Sequence, residues 1–381
     1  MNCKKSEFNL DPNLIYLNCA FMSPLMTSVE QAGIRGIKRK QKPNTIRGED
    51  FFTEGELLRK EFAKLINSDQ PNRNVIIPSV SYGMANIAKN LNLEPDDNII
   101  LVGEQFPSNV YPWMEIANKS GAEIITITPP VISNNRAETW NNNIIKAINK
   151  KTKLVACGHI HWADGSLYDL KAIRERTNEV DAWMVIDGTQ SLGALPFDVQ
   201  ELKPDALIAA GYKSMMGPYS IGMAYYGPAF DQGSPVEQNW INRFESENFS
   251  NLINYNDQYQ PGALRYEVGE HSNFILVPMM LEALKKLNKW KPEDIQNYLK
   301  ELVRKPTEAL RKSGFIIEDE QHRASNLFGI RLGKNHSMDD LKSKLDKANV
   351  FVSYRGDAIR VSPAVYNDSK DLATLVNVLT S

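Results

Sequence analysis

Seven short runs in the first 230 residues are apolar at most positions: 75–77, 98–102, 123–128, 153–162, 183–186, 206–210 and 221–226. A strand with one wet face alternates apolar and polar residues. A run without that alternation is buried on both faces, as in a sheet covered by helices on either side. Segments with helical spacing, such as 83–91 and 170–177, lie between the runs. The alternation from about residue 15 to 230 predicts an α/β fold with a mostly parallel, seven-stranded sheet. In such sheets reactive groups sit on the loops beyond the strand C-termini.

The pattern changes after about residue 230. Residues 231–272 are polar, aromatic and irregular, and helical spacing returns over 274–287 and 292–312. From Gly314 onward strand and helix patterns follow one another over 328–332, 338–347, 350–353 with 358–361, and 370–379, which predicts a small α+β domain. A chain of 381 residues is too long for one small core. The expected division is a large domain over 15–260 and a small domain made of 1–14 and 261–381.

Lys213 is the only charged residue between Ala206 and Phe230. A lysine normally keeps its ammonium among water and polar neighbours. Here the amine follows the apolar run 206–210 directly. Desolvation disfavours its charged form and lowers its pKa, leaving a nucleophile suited to a carbonyl carbon. A loop lysine that simply reaches the surface is the plainer reading of this segment alone. Asp187 ends another apolar run and is followed at once by a glycine. Taken singly it reads as a buried ion pair or a cap. Taken with Lys213 it reads as half of an active-site pair at one edge of the sheet.

A lysine that forms a Schiff base, beside a buried carboxylate, is what pyridoxal 5'-phosphate requires. The carboxylate keeps the pyridine nitrogen protonated so that the ring accepts electrons. The large domain would bind this cofactor. Ser79, Val80 and Ser81, between an apolar run and a helix, are candidates for the phosphate cradle. An ordinary serine N-cap is the alternative there. Phe106 is the candidate for stacking on the ring, Gln190 for donating to its phenolic oxygen, and Tyr212 for donating to the phosphate.

Four motifs carry a resemblance: Phe106-Pro-Ser-Asn-Val-Tyr-Pro-Trp113, His159-Ile-His-Trp-Ala-Asp-Gly165, Asp187-Gly-Thr-Gln190, and Gly211-Tyr-Lys213 with Gly217-Pro-Tyr-Ser-Ile-Gly222. In order and spacing they resemble the class V aminotransferases, a family of fold-type I pyridoxal-phosphate enzymes. The family includes cysteine desulfurases, kynureninases and isopenicillin-N-epimerase-like proteins. The resemblance runs from Tyr16 to Asn367. It implies that Lys213 binds the cofactor aldehyde, Asp187 the ring nitrogen, Gln190 the phenolic oxygen and Ser81 the phosphate, with Phe106 on the ring face. Many relatives carry histidine where this chain has Tyr212. The resemblance also implies a homodimer with its active site at the subunit interface, where Glu270, His271 and Ser272 would approach the partner's phosphate.

For the substrate, Arg360 resembles the family's carboxylate anchor, with Arg265 as second candidate and with His161 and Trp162 expected to face the pocket. A desulfurase would need a cysteine in the loop before Arg360, and residues 350–357 contain none. Cys19 reads as a small core residue. Three cysteines, Cys3, Cys19 and Cys157, make no disulfide framework.

The expected activity is that of an aminotransferase acting on a small amino acid or amine. A lyase or epimerase of the same family is the alternative. A more distant rival is a metal hydrolase. Cys157, His159 and His161 would share one face of a strand at period two, with Asp164 or Asp187 as fourth ligand. A nicotinamide dehydrogenase is disfavoured because no G-x-G-x-x-G follows the early strands. A net charge of −2 offers no field for nucleic acid or an anionic membrane. The absence of a long apolar run, and an N-terminus without a signal-like segment, give a cytoplasmic expectation.

Overall fold

The computed structural model describes residues 1–133, 135–333 and 336–381. Its strands are β1 (Ile15–Tyr16), β2 (Asn74–Ile77), β3 (Asn98–Val102), β4 (Glu123–Ile127), β5 (Thr152–Gly158), β6 (Trp183–Asp187), β7 (Ala206–Ala210), β8 (Gly222–Tyr226), β9 (Phe328–Arg331), β10 (Val350–Phe351), β11 (Ser353–Arg355) and β12 (Ala358–Val361). Its α-helices are α1 (Thr27–Arg39), α2 (Thr53–Leu65), α3 (Val80–Asn90), α4 (Tyr111–Ser120), α5 (Arg136–Ala147), α6 (Leu170–Glu179), α7 (Val199–Leu202), α8 (Leu276–Trp290), α9 (Pro292–Lys312), α10 (Met338–Lys347) and α11 (Ser369–Thr380).

The main sheet has seven strands in the order β2-β8-β7-β6-β5-β3-β4. Its core explains the unbroken apolar runs. Ile76, Ile100, Val155, Met184, Ile186 and Leu207 join one buried cluster. Their immediate neighbours Ile77, Ile99, Leu154, Val185 and Ile208 join another. Alternate residues therefore enter opposite cores, so every position along a central strand is better apolar. β4 lies at the sheet edge and is correspondingly half-exposed.

β9, β11 and β12 form a second, antiparallel sheet, and β1 pairs with β10. Phe328, Ile330, Ile359 and Leu375 anchor its own core. The first residues rest on this C-terminal part, where Lys4 N–H donates to the Val365 carbonyl at 2.7 Å and Lys5 pairs with Asp371 at 3.2 Å. Two placements differ from the sequence reading. Ile15 and Tyr16 pair with Val350 and Phe351 rather than opening the large domain. Helix α8 packs on α1 and α2 rather than within the small sheet's core. Residues 231–275 contain 3-10 turns and the isolated antiparallel bridge between Arg243 and Tyr259 but no α-helix or longer strand, as their irregular composition implies.

One strand stops early. The apolar run 153–162 predicts a strand through Trp162, but β5 ends at Gly158. A Cβ on Gly158 would lie 2.7 Å from the Ile160 carbonyl oxygen, so the chain turns back here through a residue without a side chain. Ile160 then pairs with Leu167 in an isolated antiparallel bridge.

Candidate active site

Strand direction decides which residues meet. β3, β5, β6 and β7 run parallel, and β8 runs antiparallel to both β7 and β2. Two reversals return β2 to the direction of the parallel set. The ends of β2, β3, β5, β6 and β7 and the start of β8 therefore share one edge. They supply Ser79, Val80, Ser81, Phe106, Trp162, Asp187, Gln190, Tyr212 and Lys213 to one cavity of about 300 Å3. A larger cleft of about 960 Å3 lies between α5, α6 and α7. It contains none of this set, and convergent chemistry identifies a site better than volume does.

Lys213 is 7% exposed, delivered by the fully buried β7. Its Nζ lies 5.2 Å from the centre of the Phe106 ring. Burial pushes its pKa down to about 8; Asp187 opposes the shift, while Arg360 and Arg355 add to it. Asp187 closes β6 and opens onto the cavity, screened from bulk water. Burial raises its pKa against hydrogen bonds from Thr189 and the attraction of Lys213. Its Oδ1 accepts the Thr189 N–H at 2.9 Å, and Thr189 Oγ1 accepts the Ala210 N–H at 3.1 Å. The carboxylate turn is thus tied to the strand end that delivers the lysine. Gly188 keeps the turn tight, since a Cβ there would lie 2.8 Å from Leu192.

Ser79 caps α3, its hydroxyl accepting the Tyr82 N–H at 3.2 Å. The first turn of a helix carries unpaired N–H groups and a positive dipole end, which suits an anion. Ser81 Oγ donates to Ser108 Oγ at 3.1 Å, and Tyr212 packs on Tyr219 with ring centres 4.5 Å apart. Gln190 Nε2 donates to the Ala20 carbonyl at 3.2 Å, while its Oε1 is buried without a partner among the described residues. The Trp162 ring meets Phe106 edge-on at 5.6 Å, and its Nε1 donates to the Glu104 carbonyl at 2.7 Å.

Arg360 stands behind Trp162 and does not line the cavity. It is 1% exposed and donates to the Trp162 carbonyl at 3.0 Å and to Ser353 Oγ at 3.3 Å, with its Nε buried and unpartnered. Arg265 is elsewhere, over the Tyr259 ring and donating to the Gly233 carbonyl. His271 is buried against Glu267, which also holds Arg59 and accepts the Ile76 N–H. Neither it, Glu270 nor Ser272 reaches this chain's own cavity.

His161 does not line the Lys213 cavity. Because β5 ends at Gly158, His161 turns inward, its ring nitrogens 3.1 Å from Asp164 Oδ1 and 3.1 Å from the Glu104 carbonyl. Asp164 also binds Arg136 and, at 2.8 Å, Arg331 of β9. Burial alone would raise the Asp164 carboxyl, but His161, Arg136 and Arg331 together hold it well below its ordinary range. This is a structural tie between the two sheets. Asp164→Ala leaves the buried Arg136 guanidinium without its anion and removes one of the two carboxylates on Arg331, and should destabilise the protein by about 3–5 kcal/mol, measured by urea unfolding.

The same early turn dissolves the proposed metal triad. Cys157 lies in β5 with its thiol pushed up to about 12 by burial, and His159 packs on Phe197 at 5.6 Å. Among the described residues no three His, Cys, Asp or Glu side chains are grouped to hold a metal. Cys19 is buried behind Lys213, its thiol facing the Lys213 carbonyl and also pushed up to about 12 by burial. Sequence reasoning missed Thr189, Ser108, Tyr219 and Ser220, all on the cavity wall. Thr189 was within reach, since an Asp-Gly-Thr turn offers its N–H back to the carboxylate.

A seven-stranded α/β sheet, a small C-terminal sheet and a lysine–carboxylate site at the strand ends define the fold-type I architecture. The chain belongs to the class-V aminotransferase family, which uses pyridoxal phosphate; the family model matches residues 43–375. It is 25% identical to an uncharacterized aminotransferase, YcbU, of Bacillus subtilis, over 86% of this chain and 83% of that protein. A probable cysteine desulfurase of Halalkalibacterium halodurans is 28% identical over 61% of this chain and 57% of that protein. Among solved structures, the cystine C-S lyase C-DES superposes with a TM-score of 0.84 at 18% identity, covering 97% of this chain and 98% of that one. The Escherichia coli cysteine desulfurase CsdA superposes with a TM-score of 0.82 at 20% identity, covering 98% and 96%.

Proposed function

We propose that this protein is a pyridoxal-phosphate-dependent aminotransferase acting on a small amino acid or amine. One observation carries the reading: Lys213, Asp187 and Phe106 line a single cavity with the N-terminus of α3. The residues fit the cofactor. Lys213 would hold its aldehyde, Asp187 its ring nitrogen, Phe106 its ring face, and Ser79, Val80 and Ser81 its phosphate. Gln190 lines the same space, with its Oε1 buried and unpartnered among the described residues and its Nε2 given to the Ala20 carbonyl. When bound, pyridoxal phosphate supplies an electron sink for charge released at the substrate α-carbon.

The protein's own groups supply the rest. With a pKa of about 8, Lys213 Nζ exchanges a proton readily near neutral pH, as a general base and acid must. Trp162 and Phe106 wall the amine from water, and Arg360 lies buried behind Trp162, bonded to its carbonyl. A cavity of about 300 Å3 is at the small end of ligand pockets, so little room remains beside a cofactor. That favours a small substrate. Elimination and epimerisation begin with the same proton transfer, and a lyase or epimerase of this family is the second reading. A persulfide route is disfavoured because the Cys19 and Cys157 thiols are buried and held protonated.

Purified protein given pyridoxal phosphate should develop a visible absorbance band, and borohydride should then fix the cofactor to Lys213 in a peptide map. Uptake should quicken as pH rises through about 8, where the Lys213 amine loses its proton. A modified residue other than Lys213 would overturn the assignment. Against amino-acid pools, a keto acid formed without free ammonia would mark transamination, a keto acid with stoichiometric ammonia elimination, and neither product with loss of optical activity epimerisation. No helix among the described residues is long and apolar enough to cross a membrane.

A further inference from the structure

A small chamber lies behind Gln190, with about 10 Å3 open to the centre of a water molecule. Gln190 is common to this chamber and the Lys213 cavity. Asn326 lines the chamber too, from a bend just before β9 of the small sheet. Ser214 is the one hydroxyl on the wall, and apolar side chains such as Ile295, Leu299 and Val365 supply most of the rest. Gln190 is 5% exposed and Asn326 6%, so bulk water serves neither amide.

Each amide is aimed by a backbone carbonyl. Gln190 Nε2 donates to the Ala20 carbonyl at 3.2 Å, and Asn326 Nδ2 donates to the Gln190 carbonyl at 2.8 Å. A carbonyl accepts only from the nitrogen side of an amide, so neither side chain can be turned around without losing its bond. The two amide oxygens therefore point away from those partners. Gln190 Oε1 and Asn326 Oδ1 are both buried and accept nothing among the described residues. An unmet buried acceptor is costly, and two of them on residues of one chamber ask for a guest that donates twice. Water is the smallest such molecule, and the space suits one.

We infer that one internal water donates to both Gln190 Oε1 and Asn326 Oδ1, and that Asn326 and this water together position Gln190 at the cofactor site. The second half of the inference rests on the proposed pyridoxal-phosphate activity. An amide nitrogen carries two protons. The Ala20 carbonyl takes one from Gln190 Nε2, which leaves the other for the cofactor's phenolic oxygen. A water on Oε1 holds the amide from its other end, so that this second proton keeps its direction. The tie also spans the fold. Gln190 follows β6 of the main sheet, and Asn326 leads into β9 of the small one. Asn326 is thus a positioning residue that acts on the cofactor through Gln190 alone.

Two measurements test this. A high-resolution crystal structure of the full chain should show a water peak about 2.8 Å from each of the two oxygens. The second is titration with pyridoxal phosphate, followed by the visible band. In Asn326→Leu, which keeps the size but neither the donor nor the acceptor, the dissociation constant should rise by about 10-fold or more, the worth of one hydrogen bond to a charged oxygen. Asn326→Ser, which keeps a hydroxyl and makes room for water on Gln190 Oε1, should recover part of that loss. In a Gln190→Ala background Asn326→Leu should change nothing further, as a residue acting through Gln190 requires. A chamber without density between the two oxygens overturns the inference. So does wild-type affinity in Asn326→Leu, or an equal loss with and without the Gln190 side chain. If wild-type protein forms no visible band, the pyridoxal-phosphate reading falls instead, and the water peak still decides the chamber.

Discussion

Lys213→Ala should lower turnover by about 10⁴-fold or more. A positioned general acid–base contributes about 10²–10⁴ on its own, and the same amine also holds the cofactor aldehyde. Lys213→Arg should fail almost as badly. It keeps a cation over Phe106 but cannot give up its proton at any working pH. That pair of variants separates proton transfer from simple charge. Both should fold: the alanine removes an amine whose burial already disfavours its charged form, and circular dichroism and melting would check this. Turnover within about tenfold of wild type in Lys213→Ala would show that the chemistry lies elsewhere, and the visible band should vanish with the activity.

How far the sequence reveals this site varies with what fixes each residue. Lys213 and Asp187 were legible because each follows a strand buried on both faces, and such strands are written as unbroken apolar runs. The register then follows, since Asp187 pairs with Ile208 of the neighbouring strand and both ends emerge together. The antiparallel insertion of β8 was not legible, because an apolar run carries no direction. It still preserves the common edge, for the two reversals cancel. The end of β5 departs from the apolar run for a different reason. Ile160, His161 and Trp162 are acceptable strand residues, but the chain turns back at Gly158, where a side chain would meet the Ile160 carbonyl, and His161 then turns inward to Asp164, which also binds Arg136 and Arg331.

Asp187→Asn should cut kcat by about 10²–10³, the range for losing one preorganised electrostatic contact to the charge that develops in a reaction. The substitution is close to isosteric. An amide oxygen can still accept the Thr189 N–H, so the turn tied to Ala210 should survive. Only the negative charge goes. Two further readouts distinguish this from a structural effect. Asp187 favours the charged form of Lys213, so its removal should move the amine's titration in the cofactor-free protein below about 8. Stability should move the other way from activity. The Asp187 carboxyl is raised in the folded protein, so its ionised form opposes folding at pH values above its folded pKa. A neutral amide removes that opposition, and the variant should melt at the same or a higher temperature at neutral pH. A carboxylate kept for packing or for an ion pair would give the opposite sign, losing stability along with activity. Wild-type kcat in Asp187→Asn would mean that this buried anion faces no cation during turnover, and the role given to it here would fall.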